Sequence, residues 1–380
     1  MIVPFNLPHL TGKETHFIYD AVNSGKISGN GKYTKKCQTF FEEKYGFKKC
    51  LLTTSCTDAL EMSAILLNIK PGDEVIIPSY TFVSTANAFV LRGAKIIFAD
   101  SSNENPNIDA TKIESLITSK TKAIVVVHYA GMACDMDMIM DIAKRNNIFV
   151  VEDAAQAVDS FYKGVPLGKI GHMSTFSFHE TKNIISGEGG MLVINDEQFI
   201  DRAEIIWEKG TNRSAFFRGE IDKYGWVDVG SSFLPSEVIS AFLYAQLENM
   251  DSIQNKRKAL WNHYYNAFST CNDIDQSILP KVPEYATNNA HMFYMVCSSI
   301  EERNNLIAFL KQTECQLVFH YLSLHKSPFF EGKHEGEDLV NSDNYTERLV
   351  RLPLYFDLSN ANQVLVINGI KAFYSQNKKA

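Results

Sequence analysis

Lys182 sits between a run rich in aromatic and hydroxyl side chains, residues 175–179, and the glycine-rich turn Gly187-Glu188-Gly189-Gly190. Asp153 lies 29 residues earlier, in Glu152-Asp153-Ala154-Ala155-Gln156, where a strongly apolar run ends. A lysine amine forms a Schiff base with an aldehyde, and a carboxylate keeps a pyridine nitrogen protonated so that the ring accepts electrons. A lysine and an aspartate presented this way meet what a pyridoxal phosphate (PLP) enzyme needs. Each also has a plainer reading. Most lysines are solvated surface groups, and an acidic residue that ends a strand commonly caps the next helical turn. As a metal ligand Asp153 lacks a histidine or carboxylate partner at suitable spacing, so no metal site is expected.

Other segments carry compatible chemistry. In Thr53-Thr54-Ser55-Cys56-Thr57-Asp58-Ala59-Leu60, Ser55 and Thr57 open a helical pattern. They offer hydroxyls and free backbone N–H groups to a phosphate, although every helix needs such a cap. The absence of a Walker lysine pattern argues against a nucleoside triphosphate loop. Phe82, in Pro78-Ser79-Tyr80-Thr81-Phe82, either stacks on a planar ring or fills the core. Gln156 can hydrogen-bond a phenolic oxygen of the cofactor. His128 is open to two readings, a satisfied buried histidine or a ligand contact.

A parallel α/β sheet is what would place these residues together. Short apolar runs at 73–77, 94–99, 122–128, 148–152, 175–179 and 190–194 read as strands. Amphipathic segments at 58–67, 84–91, 110–117 and 136–144 read as helices between them. Ile124-Val125-Val126-Val127 and Ile148-Phe149-Val150-Val151 are apolar at every position, as in strands buried on both faces. The alternation predicts a doubly wound α/β core, in which ligands bind beyond the carboxyl ends of the strands. His128, Asp153 and the stretch from His179 to Lys182 all fall there. Residues 196–270 read as largely helical, broken by a polar loop at 209–228. A smaller α+β unit follows, with strands at 293–298 and 317–321 and a helix at 300–312. The acidic, polar segment 332–343 reads as an exposed loop. The expected domains are 1–250 and 251–380.

A chain of 380 residues exceeds one ordinary core. Its net charge of −7 argues against a general nucleic-acid or membrane-surface role. An anionic substrate therefore needs local cations. The loop Lys209-Gly210-Thr211-Asn212-Arg213, with Arg218 and Lys223, is the candidate, against the alternative of a solvated charged loop. Seven scattered cysteines without a CxxC read as reduced thiols in a cytoplasmic protein. No secretory leader and no membrane-spanning apolar run is expected.

Taken together, the stretches around Asp153, Phe176–Asn183 and Gly187–Gly190, with His320-Tyr321, Leu324-His325 and Leu352-Pro353-Leu354, resemble the DegT-type sugar-nucleotide aminotransferases. The resemblance runs nearly end to end. Within that family it is nearest to the branch that makes dTDP-4-amino-4,6-dideoxygalactose, in the stretches 78–93, 179–190 and 208–218. It implies the aspartate aminotransferase-like fold (fold type I) of PLP enzymes, and a two-stage amino transfer from L-glutamate to a dTDP-linked 4-keto-6-deoxyhexose for surface polysaccharide synthesis. It further implies that Lys182 holds PLP and moves the proton, while Asp153 pairs with the pyridine nitrogen and Gln156 contacts the ring oxygen. Ser55, the Cys56 backbone, Thr57 and Ser177 would hold the phosphate, and Phe82 would stack on the ring. His179, Arg213 and His320 would contact substrate. The implied assembly is a homodimer with shared active sites. Many relatives supply a partner-subunit asparagine to the phosphate in a Gly-Tyr-Asn-x-Arg stretch. Here the stretch is Gly230-Ser231-Ser232-Phe233-Leu234, so Ser231 or Ser232 takes that place. Amination at C3 of a 3-keto sugar is the competing regiochemistry. The dehydratases of this fold carry histidine at the lysine position, against which Lys182 argues directly. A regulatory, non-catalytic homologue is disfavoured by the intact Lys182/Asp153 pair.

Overall fold

The computed structural model describes residues 3–377. Two helices, α1 (Glu14–Asn23) and α2 (Lys32–Tyr45), precede a seven-stranded sheet. Its strands are β1 (Lys49–Thr53), β2 (Glu74–Pro78), β3 (Lys95–Ala99), β4 (Thr121–Val127), β5 (Phe149–Asp153), β8 (Met173–Ser177) and β9 (Gly190–Ile194), with a two-residue hairpin of β6 (Phe161–Tyr162) and β7 (Val165–Pro166) in between. The spatial order is β1-β9-β8-β5-β4-β2-β3. The four contacts from β3 to β8 are parallel, and β9 runs antiparallel to both its neighbours. Helices α3 (Cys56–Leu66), α4 (Val83–Val90), α5 (Ala110–Ile113) and α6 (Met136–Asn146) make the crossovers.

The all-apolar strands are buried on both faces, as their composition demands. Ile76, Ile124, Val126 and Val150 point into one core with α2 and α6, and Val75, Ile77, Val125 and Val151 into another with α3 and α4. Beyond the sheet come α7 (Ile200–Trp207), α8 (Arg213–Phe217), α9 (Glu237–Glu248) and α10 (Met250–Ser269). The remainder is α11 (Ile300–Gln312), α12 (Val340–Arg348), α13 (Asn360–Asn377) and a two-stranded antiparallel sheet of β10 (Phe293–Val296) and β11 (Leu349–Leu352). The expected change of domain near 250 falls on α10, a single helix that serves both sides. Its Met250 and Ile253 pack in the core under the large sheet, while Leu260, Trp261, Tyr264 and Phe268 pack with β10 and β11. Val3 bridges Cys315, so the start of the chain packs with the smaller unit.

Three local expectations are corrected. The strand expected at 175–179 is Met173–Ser177, because the chain leaves the ladder after the Ser177–Gly190 pair and Lys182 N–H closes a turn on His179 C=O at 2.9 Å. The strand expected at 317–321 does not form. Only Val318 bridges Arg351, and the Phe319 carbonyl is taken by the Arg351 guanidinium. The segment 332–343 is not wholly an exposed loop, since α12 begins at Val340. Buried Ser342 donates both its N–H and its hydroxyl to Asp100, each at 2.8 Å, a long-range partner that local composition does not reveal.

Candidate active site

The carboxyl ends of β1, β2, β5 and β8 and the small β10–β11 sheet enclose one cavity of about 600 Å³. Lys182 and Asp153 both line it, as do Ser55, Cys56, Thr57, Phe82, Gln156, Ser177, His179 and His320. Arg213 and Ser232 are not among its lining. Arg213 Nε faces Glu208 Oε2 at 3.0 Å, an ion pair without an aligned hydrogen bond, and exposed Ser232 pairs with the Glu208 backbone. Arg218 is bound at 2.7 Å to both Glu204 and Glu220.

Lys182 is half-buried, and desolvation pulls its amine below the usual lysine pKa, against the opposing pull of Cys56 and Asp153. Asp153, at the end of β5, is buried, and that burial raises its pKa. Two donors oppose the shift by favouring the carboxylate: Thr85 hydroxyl on Oδ2 at 2.8 Å and Ala155 N–H on Oδ1 at 3.2 Å. The Asp153 turn is thus both a local cap and the presenting arm of a buried anion.

The floor of the cavity is the start of α3. Ser55 is its N-cap and accepts from Asp58 N–H at 3.1 Å, so its hydroxyl has a structural partner already. Thr57 hydroxyl lies 2.8 Å from Ser84 hydroxyl. Gly190, at the start of β9, presses on this turn. A Cβ there would stand 2.3 Å from the Ser55 carbonyl carbon and 2.4 Å from Cys56 N, so only glycine lets the helix N-terminus approach. Burial pushes the Cys56 thiol up, which keeps it protonated beside Lys182.

Gln156 is locked at both ends of its amide: Oε1 accepts from Ala130 N–H at 2.6 Å and Nε2 donates to Tyr321 hydroxyl at 2.8 Å. One amide hydrogen remains for an acceptor. Phe82 is 55% exposed, with its ring 6.2 Å from that of Tyr321, which places it on the cavity and not in the core. His128 resolves the other way. Its Nε2 lies 2.9 Å from fully buried Glu152, and its Nδ1 accepts from Cys134 N–H at 3.2 Å, so it is a satisfied core histidine with its proton on Nε2.

Sequence reasoning passed over four residues at this site. Thr85 and Ser84 lie in a segment read only as amphipathic helix. Arg351 interrupts the apolar run Leu349-Val350-Arg351-Leu352, and that charge within a strand was the available signal. His291 left no local signal.

The donors at the α3 turn, the glycine cradle at Gly190 and the buried carboxylate across from a lysine amine fit a ring that carries a phosphate, a basic pyridine nitrogen and an aldehyde, the groups of PLP. The site and fold together define a class, the aminotransferases that act through a lysine at the end of a parallel sheet. The chain matches the model of the DegT/DnrJ/EryC1/StrS aminotransferase family over residues 8–371, and it belongs to that family. It is 33% identical to GDP-perosamine synthase of Escherichia coli O157:H7, over 98% of this chain and 99% of that protein. The structure of the aminotransferase TlmJ from Streptoalloteichus hindustanus superposes with a TM-score of 0.90 at 26% identity, covering 99% of this chain and 100% of that one. A putative sugar aminotransferase from Streptococcus pneumoniae, solved in a PMP form, superposes at 0.89 and 26% identity, covering 98% and 99%. The same protein has also been solved in a PLP form.

Proposed function

We propose that this PLP-dependent sugar aminotransferase moves the amino group of L-glutamate to C4 of a dTDP-linked 4-keto-6-deoxyhexose, for bacterial surface polysaccharide synthesis in the cytoplasm. The observation that carries the reading is the half-buried Lys182 amine, with its depressed pKa, on the same cavity as buried Asp153. When bound, PLP supplies an electron sink that makes the hydrogen beside the reacting nitrogen acidic. Lys182 Nζ then takes that proton from the donor and returns one to the accepting carbon, work suited to an amine whose pKa lies closer to neutrality. Asp153 would accept the hydrogen bond of the protonated ring nitrogen, and the Thr85 and Ala155 donors keep its carboxylate aligned. Gln156 donates to the ring oxygen through its free amide hydrogen. Ser55, Thr57, Ser177 and the N–H groups that open α3 hold the phosphate against the helix dipole. Phe82 covers the ring, and His179 and His320 contact substrate.

The working unit is a homodimer with shared active sites. Phe217, Tyr224, Trp226 and Val227 of the 209–229 segment are all more than half exposed, an apolar surface that a second copy would cover. Ser232 and Arg213, which do not line this protomer's own cavity, would then serve the partner's phosphate or nucleotide. The deciding experiment is NMR of the product formed from glutamate and dTDP-4-keto-6-deoxyglucose, which reads regiochemistry and stereochemistry together. Amination at C4 is expected. An amine at C3, or turnover only with a GDP-linked keto sugar, would overturn the assignment.

A further inference from the structure

Arg257, on α10, is only 4% exposed, and no acid of its own chain offsets its charge. Its Nε donates to the Ala290 carbonyl at 3.1 Å and its Nη2 to the His291 carbonyl at 2.7 Å. Two carbonyls orient a guanidinium but leave its full charge in place. The two N–H groups of Nη1 have no hydrogen-bond partner among the described residues, and Arg257 joins no ion pair among them. Its pKa is lowered to about 10 by burial alone. A carboxylate near enough to matter would pull it back up. Buried charges are as a rule paired, because desolvation without a counter-charge is costly.

Arg257 lines a second, narrow cavity of about 10 Å³. Only Asn6 and Lys182 are shared with the large cavity. The volume suits one particle about the size of a water molecule or a halide ion, and it excludes an amino acid or a sugar nucleotide. Leu7, Ile185, Ile253 and Phe356 make much of its wall apolar. Glu180 also lines it, but that side chain is exposed and does not act on Arg257. A water molecule would leave the guanidinium charge uncompensated, whereas a monovalent anion supplies both the acceptor and the missing charge.

We propose that this narrow cavity is a binding site for a monovalent anion about the size of chloride, held by Arg257 Nη1. The ion would fix Arg257 on the two carbonyls it grips. Those carbonyls belong to a backbone that positions the neighbour of the reactive lysine. Asn183 donates through Nδ2 to Gln254 Oε1 at 2.8 Å and to the Asn289 carbonyl at 2.9 Å, so its Oδ1 is an acceptor, and His291 Nδ1–H donates to it at 2.9 Å. Asn289 Oδ1 in turn accepts from His291 N–H at 3.0 Å. Ala290, between them, is in the left-handed region at φ 55, a conformation that persists only where the surroundings over-determine it. The ion is thus a structural ligand that steadies the wall behind Lys182. It is neither substrate nor cofactor, so its role is independent of which sugar is aminated.

Two measurements on the PLP-loaded wild-type enzyme test the site. Crystals soaked in sodium bromide should show an anomalous-scattering peak within hydrogen-bonding reach of Arg257 Nη1. Thermal unfolding should occur at higher temperature in sodium chloride than in sodium gluconate of equal ionic strength, because gluconate is too large to enter. A saturating gain of about 1–3 °C is expected once chloride exceeds its Kd about tenfold. Arg257→Gln should lose the difference between the two salts. If that variant does not fold, the bromide map and the salt comparison on the wild type still decide. No bromide beside Arg257, equal Tm in the two salts, or a chloride gain that survives in Arg257→Gln would overturn the proposal. Bromide in the map without a chloride-specific gain in Tm would mark an adventitious ion only, and overturns it as well.

Discussion

At the scale of single residues, reactivity follows from burial more than from identity. Lys182 is one of many lysines, and desolvation is what separates its amine from the rest. The sign is simple: a cation disfavoured by burial loses its proton at lower pH, so the neutral nucleophile is available at lower pH. The rate at which cofactor-free protein captures PLP covalently should climb with pH and level off below 10.5, the ordinary lysine value. Stopped-flow absorbance would follow it, and a profile that keeps rising past that value would contradict a depressed pKa. Lys182→Ala should abolish borohydride-trapped cofactor and lower turnover by about a thousandfold or more, within the range of a lost acid–base group. Lys182, Asp153 and the helix-start hydroxyls were legible because each stands at a chain punctuation, a strand end or a glycine turn. Arg351 and His291 were not, because their meaning depends on which distant groups are missing or present around them. His128 shows the converse: its position beyond a strand allowed a ligand role, and only Glu152 and Cys134 assign it to the core.

At the scale of elements, the apolar runs specified the sheet, since a strand without a polar face has to be covered on both sides. The antiparallel β9 was visible as a strand, but not its direction. It is also where the sheet presses on the start of α3, through Gly190. Gly190→Ala would drive a methyl group into the Ser55–Cys56 turn. Overpacking against backbone should cost about 1–3 kcal/mol. A fall in Tm together with PLP binding weakened about tenfold is expected, and wild-type PLP affinity would show that this close approach does not shape the phosphate site. The strand expected at 317–321 failed for a comparable reason. Apolar periodicity promised a ladder, but His320 and Tyr321 turn into the cavity and the Phe319 carbonyl answers Arg351.

For the whole molecule, the described residues contain no helix long and apolar enough to cross a membrane. The exposed aromatic surface at 217–227 is where the proposed second copy would sit. Sedimentation should give about twice the 42.9 kDa chain mass. Trp226, 84% exposed, is a central candidate for that contact. Trp226→Glu should shift the protein toward monomer and lower activity with it, since charge is disfavoured at interface centres. A fully active wild-type monomer would remove the shared-site arrangement.

The linear order of residues determined the alternation of strands and helices, and it set Lys182 and Asp153 at chain punctuations, a glycine turn and a strand end. These follow from local rules: period, burial of unbroken apolar runs, and the backbone freedom of glycine. Tertiary structure alone decided which groups share the cavity and in what protonation state. The His291 imidazole keeps a free lone pair on Nε2 only because Asn183 Oδ1 holds its other nitrogen. That pair joins residues 108 positions apart, where the sequence carries no distance and no dielectric.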